Sequence, residues 1–257
     1  MKTIRLNSNR IAALSLINML VVLHGFTVSA ATVRVWQDSP NPAPPYTNWA
    51  TAAHAIQEAV DAAAPGDDIV VTNGVYATGG RAVHGLMTNR VVVDKPVTVR
   101  SVNGPAVTLI QGYQVPEAWH GLGDGAIRCV YLTSGAVLSG FTLTNGATRF
   151  SGDTSRECSG GGVWCASTNA LVTNCTLMGN FASSDGGGAY SGTLHNCAFT
   201  NNAARYGGGA SSSTLNNCTL TGNSVKGDDA TGGGASESTL NNCVLTGNSA
   251  PNGGGAD

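Results

Sequence analysis

Apolar and polar positions recur in a fixed order over the last part of the chain, and four cysteines set the beat: Cys175, Cys197, Cys218 and Cys243. Three residues before each stands Val172, Leu194, Leu215 or Leu240, and two residues after each stands Leu177, Phe199, Leu220 or Leu245. Inward side chains on one straight strand fall at even spacings, so the odd step from the first apolar position to the cysteine demands a bend. The residue available to make it is Asn174, Asn196, Asn217 or Asn242, because asparagine tolerates left-handed backbone angles. Glycine triplets begin at Gly160, Gly186, Gly207, Gly232 and Gly253, which gives a unit of 21 to 26 residues. Each unit therefore predicts a short strand, an asparagine corner, a second short strand and a glycine-rich return.

A fixed period in this range is the mark of a solenoid whose coils stack on one another. Helix is excluded, since no 3.6-residue apolar period appears, and from Gly160 onward 20 of 98 residues are glycine and only seven are charged. Strands stacked about 4.8 Å apart place like residues over like, so the corner asparagines are expected to form a side-chain ladder. The fold class expected is all-β, a parallel β-helix.

Upstream, Ala136–Gly146 is a degenerate copy of the unit, with Leu138, Phe141 and Leu143 in the places of Leu215, Cys218 and Leu220. The β-rich runs 69–71, 90–93, 97–100 and 107–110 supply earlier rungs, and residues 66–257 are assigned to the solenoid. Residues 31–65 form an N-terminal unit: a strand at Val33–Trp36, a proline-rich segment, and an amphipathic helix over Thr51–Ala64 stopped by Pro65-Gly66. That helix is expected to cap the open first rung. Residues 1–30 have the pattern of a secretory signal peptide: Lys2, Arg5 and Arg10, an apolar run from Ile11 to Leu23, then Val28-Ser29-Ala30. Thirteen residues interrupted by Asn18 are too few to span a bilayer. Cleavage after Ala30 is expected, with the mature protein secreted, at the cell surface or in the outer membrane. Gly253 opens a further unit at the end of the sequence, which predicts that the solenoid is truncated there and continues into further repeats or a C-terminal anchor.

Without the leader, ten Lys and Arg stand against fifteen Asp and Glu. A mildly acidic surface argues against a nucleic-acid partner. The four ladder cysteines are expected to be unpaired, because parallel side chains on neighbouring rungs suit a disulfide poorly. They act as small buried hydrophobes. Outside the ladder lie Cys129, Cys158 and Cys165, and a bridge between Cys158 and Cys165 stays open.

The segments Trp49-Ala-Thr-Ala, Ile56-Gln-Glu-Ala-Val-Asp-Ala-Ala, Pro65-Gly-Asp, Gly74-Val-Tyr, Asp94-Lys-Pro-Val-Thr-Val and Leu138-Ser-Gly-Phe-Thr resemble exported bacterial proteins of the pectin-lyase-like right-handed β-helix superfamily. The later Gly-Gly-Gly-Ala and Phe199-Thr-Asn-Asn segments are similar to the repeats of polymorphic outer-membrane proteins and related adhesins. The resemblance implies a right-handed coil, and a function among lyases, hydrolases and non-catalytic surface proteins.

Chemistry is sparse on the rungs. Relatives that cleave polysaccharide carry clustered acids, or calcium with a basic residue. Here Asp228-Asp229 is the only late acidic pair, and His84-Gly85 and His120-Gly121 lack the preceding glycine of the hydrolase motif. Arg205 and Lys226, near Asp185 and Asp228, allow a lyase-like set to be drawn, but loop charges in the variable spacers are the plainer reading. Asp153, Glu157, Asp185 and Asp228 leave calcium open, at irregular spacing. Trp164, Tyr190 and Tyr206 form either a sugar-stacking strip or rings packed over neighbouring rungs. The expectation is an exported, non-catalytic β-helix acting as a surface scaffold, adhesin or glycan-contacting module, with no assigned catalytic, cofactor or metal residue. The alternative is a lyase or hydrolase of acidic polysaccharide.

Overall fold

The computed structural model describes residues 30–257, so the expected leader lies outside the described residues apart from Ala30. Three parallel sheets wrap one axis. The first has eight strands, from Thr32–Val35 through Asp68–Val71 to Thr239–Asn241. The second has seven, from Gly74–Tyr76 to Val244–Thr246, and the third runs from the Arg81–His84 and Met87–Val93 hairpin to Ala235–Ser236. That hairpin is antiparallel, and every other strand pairing in the three sheets is parallel. Ala203–Ala204 pairs with Ser224–Val225 in a small fourth sheet. The fold is an all-β right-handed parallel β-helix, with one short α-helix among the described residues.

Register follows the apolar ladders. Leu138, Val172, Leu194, Leu215 and Leu240 stack in the first sheet, and Leu143, Leu177, Phe199, Leu220 and Leu245 stack in the second. The bends fall on Asn174, Asn196, Asn217 and Asn242, with φ of 52–54°. In the degenerate rung the corner is Gly140, φ 78°, which reaches the same region without a Cβ.

The glycine-rich return holds more than a turn. Directly after each of the first four triplets a two- or three-residue strand, such as Val163–Cys165 or Ala189–Tyr190, builds the third sheet. The triplets permit it by close approach: a Cβ on Gly187 would lie 2.4 Å from the Ala203 carbonyl oxygen and 2.5 Å from that of Gly208.

The expected helix is shorter than its amphipathic stretch. It spans Ile56–Ala62, with a separate 3₁₀ turn at Trp49–Thr51. No side chain at Ala55 caps it, and the Glu58 carboxylate instead accepts the N–H groups of His54 and Ala55 at 3.0 and 3.1 Å. Ile56, Ala59 and Val60 are buried in the same apolar core as Val33, Val35, Ile69 and Val71, so the helix closes over the first rung.

All seven cysteines are free. Cys175, Cys197 and Cys218 are buried in the core, and their thiols donate to carbonyls two residues back at 3.2–3.4 Å. The open Cys158–Cys165 bridge does not form: Cys165 points into the apolar core, whereas Cys158 sits in the loop over Thr148, where its carbonyl accepts the Thr148 hydroxyl. A column not anticipated from sequence runs five residues after each ladder cysteine, at Asn180, Asn202, Asn223 and Asn248. Among the described residues no helix is long and apolar enough to cross a membrane.

Candidate functional site

Two long insertions break the rhythm of the coil. Residues 112–126 and 148–160 fold over the row of parallel bridges that joins Ala147, Phe181 and Ala203. Between them lies a cleft of about 320 Å³. One wall is aromatic: Trp119 and His120 in the 3₁₀ turn Trp119–Gly121, Phe150 from the second loop, and Phe181 from the coil. The His120 ring stacks on Phe181 at 5.3 Å and 17°, and Trp119 meets Phe150 edge-on at 6.2 Å. Trp119 and Phe150 are 59% and 62% exposed, well beyond what ring-on-ring packing requires.

The opposite side is cationic. Ala204 is in register with Val225, so Arg205 and Lys226 follow on successive rungs, and both line the cleft. Neither forms an ion pair among the described residues, and no carboxylate lines the cleft. His120 titrates below the usual imidazole range, first because it is partly desolvated and second because of the Lys226 charge. Its ring is therefore neutral near pH 7.

Arg149 holds the two loops together. Its Nη2 pairs with Asp124 Oδ1 at 2.7 Å and its Nη1 with Glu157 Oε1 at 2.5 Å. Gly123 N–H adds a bond to the Thr148 carbonyl at 3.2 Å. The Glu157 carboxylate also accepts the N–H groups of Leu86 and Asp153, and these backbone donors, ahead of Arg149, pull its pKa down to about 2.

The residues singled out in the sequence are thereby sorted. Arg205 and Lys226 do come together, but Asp185 and Asp228 do not join them. Asp185 accepts bonds from Ser184 and Ser159 and faces a separate recess beside Tyr206, Glu237 and Asp257. Asp228 and Asp229 are exposed in the loop beyond Lys226. Of the carboxylates considered for calcium, Glu157 is committed to Arg149 and Asp153 caps the Arg156 N–H. Among the described residues no group of three or more His, Cys, Asp or Glu is placed to hold a metal.

Trp164 and Tyr190 are packed over neighbouring rungs. Tyr131, Trp164 and Tyr190 stack at 5.4 and 6.3 Å, His84 closes on their edges, and the Trp164 Nε1 donates to the Ser155 carbonyl at 2.7 Å. At 8% exposure Trp164 offers no open face. Tyr206 lies under the Arg205 guanidinium, at 5.3 Å. Trp119 and Phe150 carried no periodic signal, and the only cue to them was aromatic residues inside the two longest spacers, whereas Phe181 stands on the coil itself.

No protein-family model matches the sequence, and a search of the curated proteins finds no significant match. Solved structures do resemble it. A pectin methylesterase variant in complex with a hexasaccharide superposes with a TM-score of 0.50 at 12% identity, covering 85% of this chain and 67% of its own. Pectin methylesterase PemA from Erwinia chrysanthemi gives 0.48 at 11%, covering 84% and 66%, and a rhamnogalacturonan lyase gives 0.44 at 12%, covering 89% and 60%. The chain thus spans about two thirds of the length of these structures. The likeness at 0.50 identifies the fold as a parallel β-helix. At such identities the likeness is one of fold, and it transfers no activity.

Proposed function

We propose that the protein is an exported, non-catalytic β-helix module that holds an anionic polysaccharide in the cleft between Trp119, Phe150 and Arg205. The observation that carries this reading is the lining itself. Exposed rings offer flat apolar faces to sugar rings, and Arg205 and Lys226, with no carboxylate lining the cleft, offer paired positive charge to a carboxylate or sulfate. A protein of the same fold has been captured with a hexasaccharide, so a β-helix of this kind can seat a glycan chain. Attachment to a surface, as scaffold or adhesin, fits the leader sequence and the long rigid coil.

A polysaccharide lyase is the second reading. It rests on one feature, a neutral His120 next to two cations, which pairs a base with charge able to stabilise a uronate carbanion. Both readings are tested with purified protein and oligomers of galacturonate, alginate and neutral glucan. Binding seen by calorimetry for the acidic oligomers, without the ultraviolet absorbance of unsaturated uronate ends, is the expected result. Accumulation of unsaturated ends, lost in His120→Gln, would replace the module with a lyase; absence of binding to every acidic oligomer would reject both.

A further inference from the structure

Arg90 lies on the strand Met87–Val93 and is only 8% exposed, yet no carboxylate pairs with it. Its Nε donates to the Gln111 carbonyl at 2.8 Å and its Nη1 donates to the Gly79 carbonyl. A guanidinium has five N–H donors, so the remaining three, including both on Nη2, have no acceptor in the chain. Arg128, one rung on, shows the contrast. It is 1% exposed, and its guanidinium reaches four acceptors: the carbonyls of Gly160, Arg156 and Ser159, and Asn89 Oδ1. A buried arginine can thus be satisfied in this sheet, and Arg90 is not.

The free donors of Arg90 open onto a recess of about 80 Å³, lined also by Gln57, Tyr76, Thr78, Gly79 and Gly80. No sealed side-chain nitrogen or oxygen among the described residues lacks a partner, so these N–H groups are reached through the recess. The Thr78 hydroxyl and the Gly79 N–H, on the open side, have no acceptor in the chain either. Both carboxylates of the capping helix are engaged elsewhere, Asp61 with Arg81 at 2.6 Å and Glu58 with the N–H groups of His54 and Ala55. Burial lowers the Arg90 pKa. A charge taken out of water is costly unless an opposite charge meets it.

We propose that this recess is a site for a small oxyanion, held by Arg90 Nη2 with the Thr78 hydroxyl and the Gly79 N–H. Its size suits a small ligand: a water needs about 10–15 Å³ of such space, so a recess of about 80 Å³ takes a few waters or one sulfate, phosphate or short carboxylate. No lining residue is shared with the aromatic cleft, so the site stands independently of the glycan-binding reading. A bound anion would tie the turn at 78–80 to the third sheet beside the capping helix.

The test uses the full chain. Melting temperature is followed against sodium sulfate, with sodium chloride at matched ionic strength, for the wild type and Arg90→Gln. Sulfate stabilises most proteins by exclusion from their surface, so the diagnostic quantity is a saturable rise in the wild type beyond the featureless rise of the variant. Crystals of the wild type soaked in selenate supply the second measurement, which stands even if Arg90→Gln fails to fold. An anomalous peak within hydrogen-bond distance of Arg90 Nη2, together with the saturable shift, is expected. An empty recess, or a peak with identical shifts in both proteins, showing an adventitious ion only, would overturn the site.

Discussion

Asn202 Oδ1 accepts two bonds from Asn180, one from its backbone N–H at 3.1 Å and one from its Nδ2 at 3.0 Å. The same pairing links Asn202 to Asn223 and Asn223 to Asn248, and each Nδ2 also reaches a carbonyl of the preceding rung, such as Leu177. Asn180, Asn202 and Asn223 are fully buried. Asparagine fits because its one side chain donates twice and accepts twice, closing a column that would otherwise strand buried amides. Removing one member leaves the donors of Asn180 and the Leu177 carbonyl unmet, at about 1–3 kcal/mol for each unsatisfied group. Asn202→Ala is expected to lower the melting temperature by roughly 5–15 °C, at about 2–4 °C per kcal/mol for a domain of this size. Asn202→Asp should cost more, since the carboxylate has no donor for Leu177. An unchanged melting curve for Asn202→Ala would show that water substitutes in the column.

The two asparagine columns show what could be read in the sequence. The corners at Asn174, Asn196, Asn217 and Asn242 followed from a parity break in the apolar pattern, which is a local constraint. Their side chains ladder only in part, Asn242 to Asn217 at 2.6 Å but Asn196 to Asn174 at 3.5 Å, because they are exposed and water competes. The inner column was equally periodic, at five residues past each cysteine. It went unread because a polar residue carries no sign of facing inward until the third strand, hidden in the glycine return, closes the coil. The cleft was less legible still. Trp119 and Phe150 are 31 residues apart in insertions without a period, and only the tertiary fold brings them to Arg205.

Arg149 fixes the width of the cleft by bridging the loop of Trp119 to the loop of Phe150. Arg149→Ala should leave the coil folded and loosen both walls. Glycan affinity is expected to fall several-fold, with little change in melting temperature, and amide exchange over 113–126 and 148–160 should speed up. Because the folded pKa of Glu157 is depressed to about 2, its contribution is present above the ordinary carboxylate pKa and is lost as pH falls from about 4.5 towards 2. Exchange in those loops should therefore accelerate across that acid window in the wild type. A variant whose loops exchange like the wild type would show that packing alone holds the cleft.

His120 confers a pH dependence on any anion bound beside it. Its folded pKa lies below the usual 6.5, so the free protein carries two cleft cations at neutral pH and gains a third only in mild acid. A bound anion favours the protonated ring and raises that pKa, so by linkage affinity must rise as pH falls. Uronate carboxyls stay ionised between pH 5 and 8, since their pKa values lie near those of Asp and Glu. The expected result is a several-fold tighter association of oligogalacturonate at the lower end of that range, abolished in His120→Gln. In Arg205→Ala the slope should persist while affinity drops about tenfold or more at every pH, the scale of one lost hydrogen bond to a charged group. A flat profile in the wild type would place the acidic chain away from this ring.

The corner residues test the link between sequence and coil most directly. Asn217 sits at φ 54°, is exposed, and is followed by the buried Cys218. In the degenerate rung the same place is filled by Gly140. Asn217→Gly should thus fold with nearly wild-type stability, the easier backbone geometry offset by the greater entropy of the unfolded chain. Asn217→Val must force a β-branched residue into the left-handed region, at about 1–2 kcal/mol from backbone strain alone. Its melting temperature is expected to fall by several degrees. Because strands on both sides of the corner are in register with their neighbours, the strain cannot be relieved by a slip without moving Leu215 or Leu220 out of the core. Equal stability of the glycine and valine variants would mean that the bend is imposed by the stacked rungs and not by the residue that occupies it.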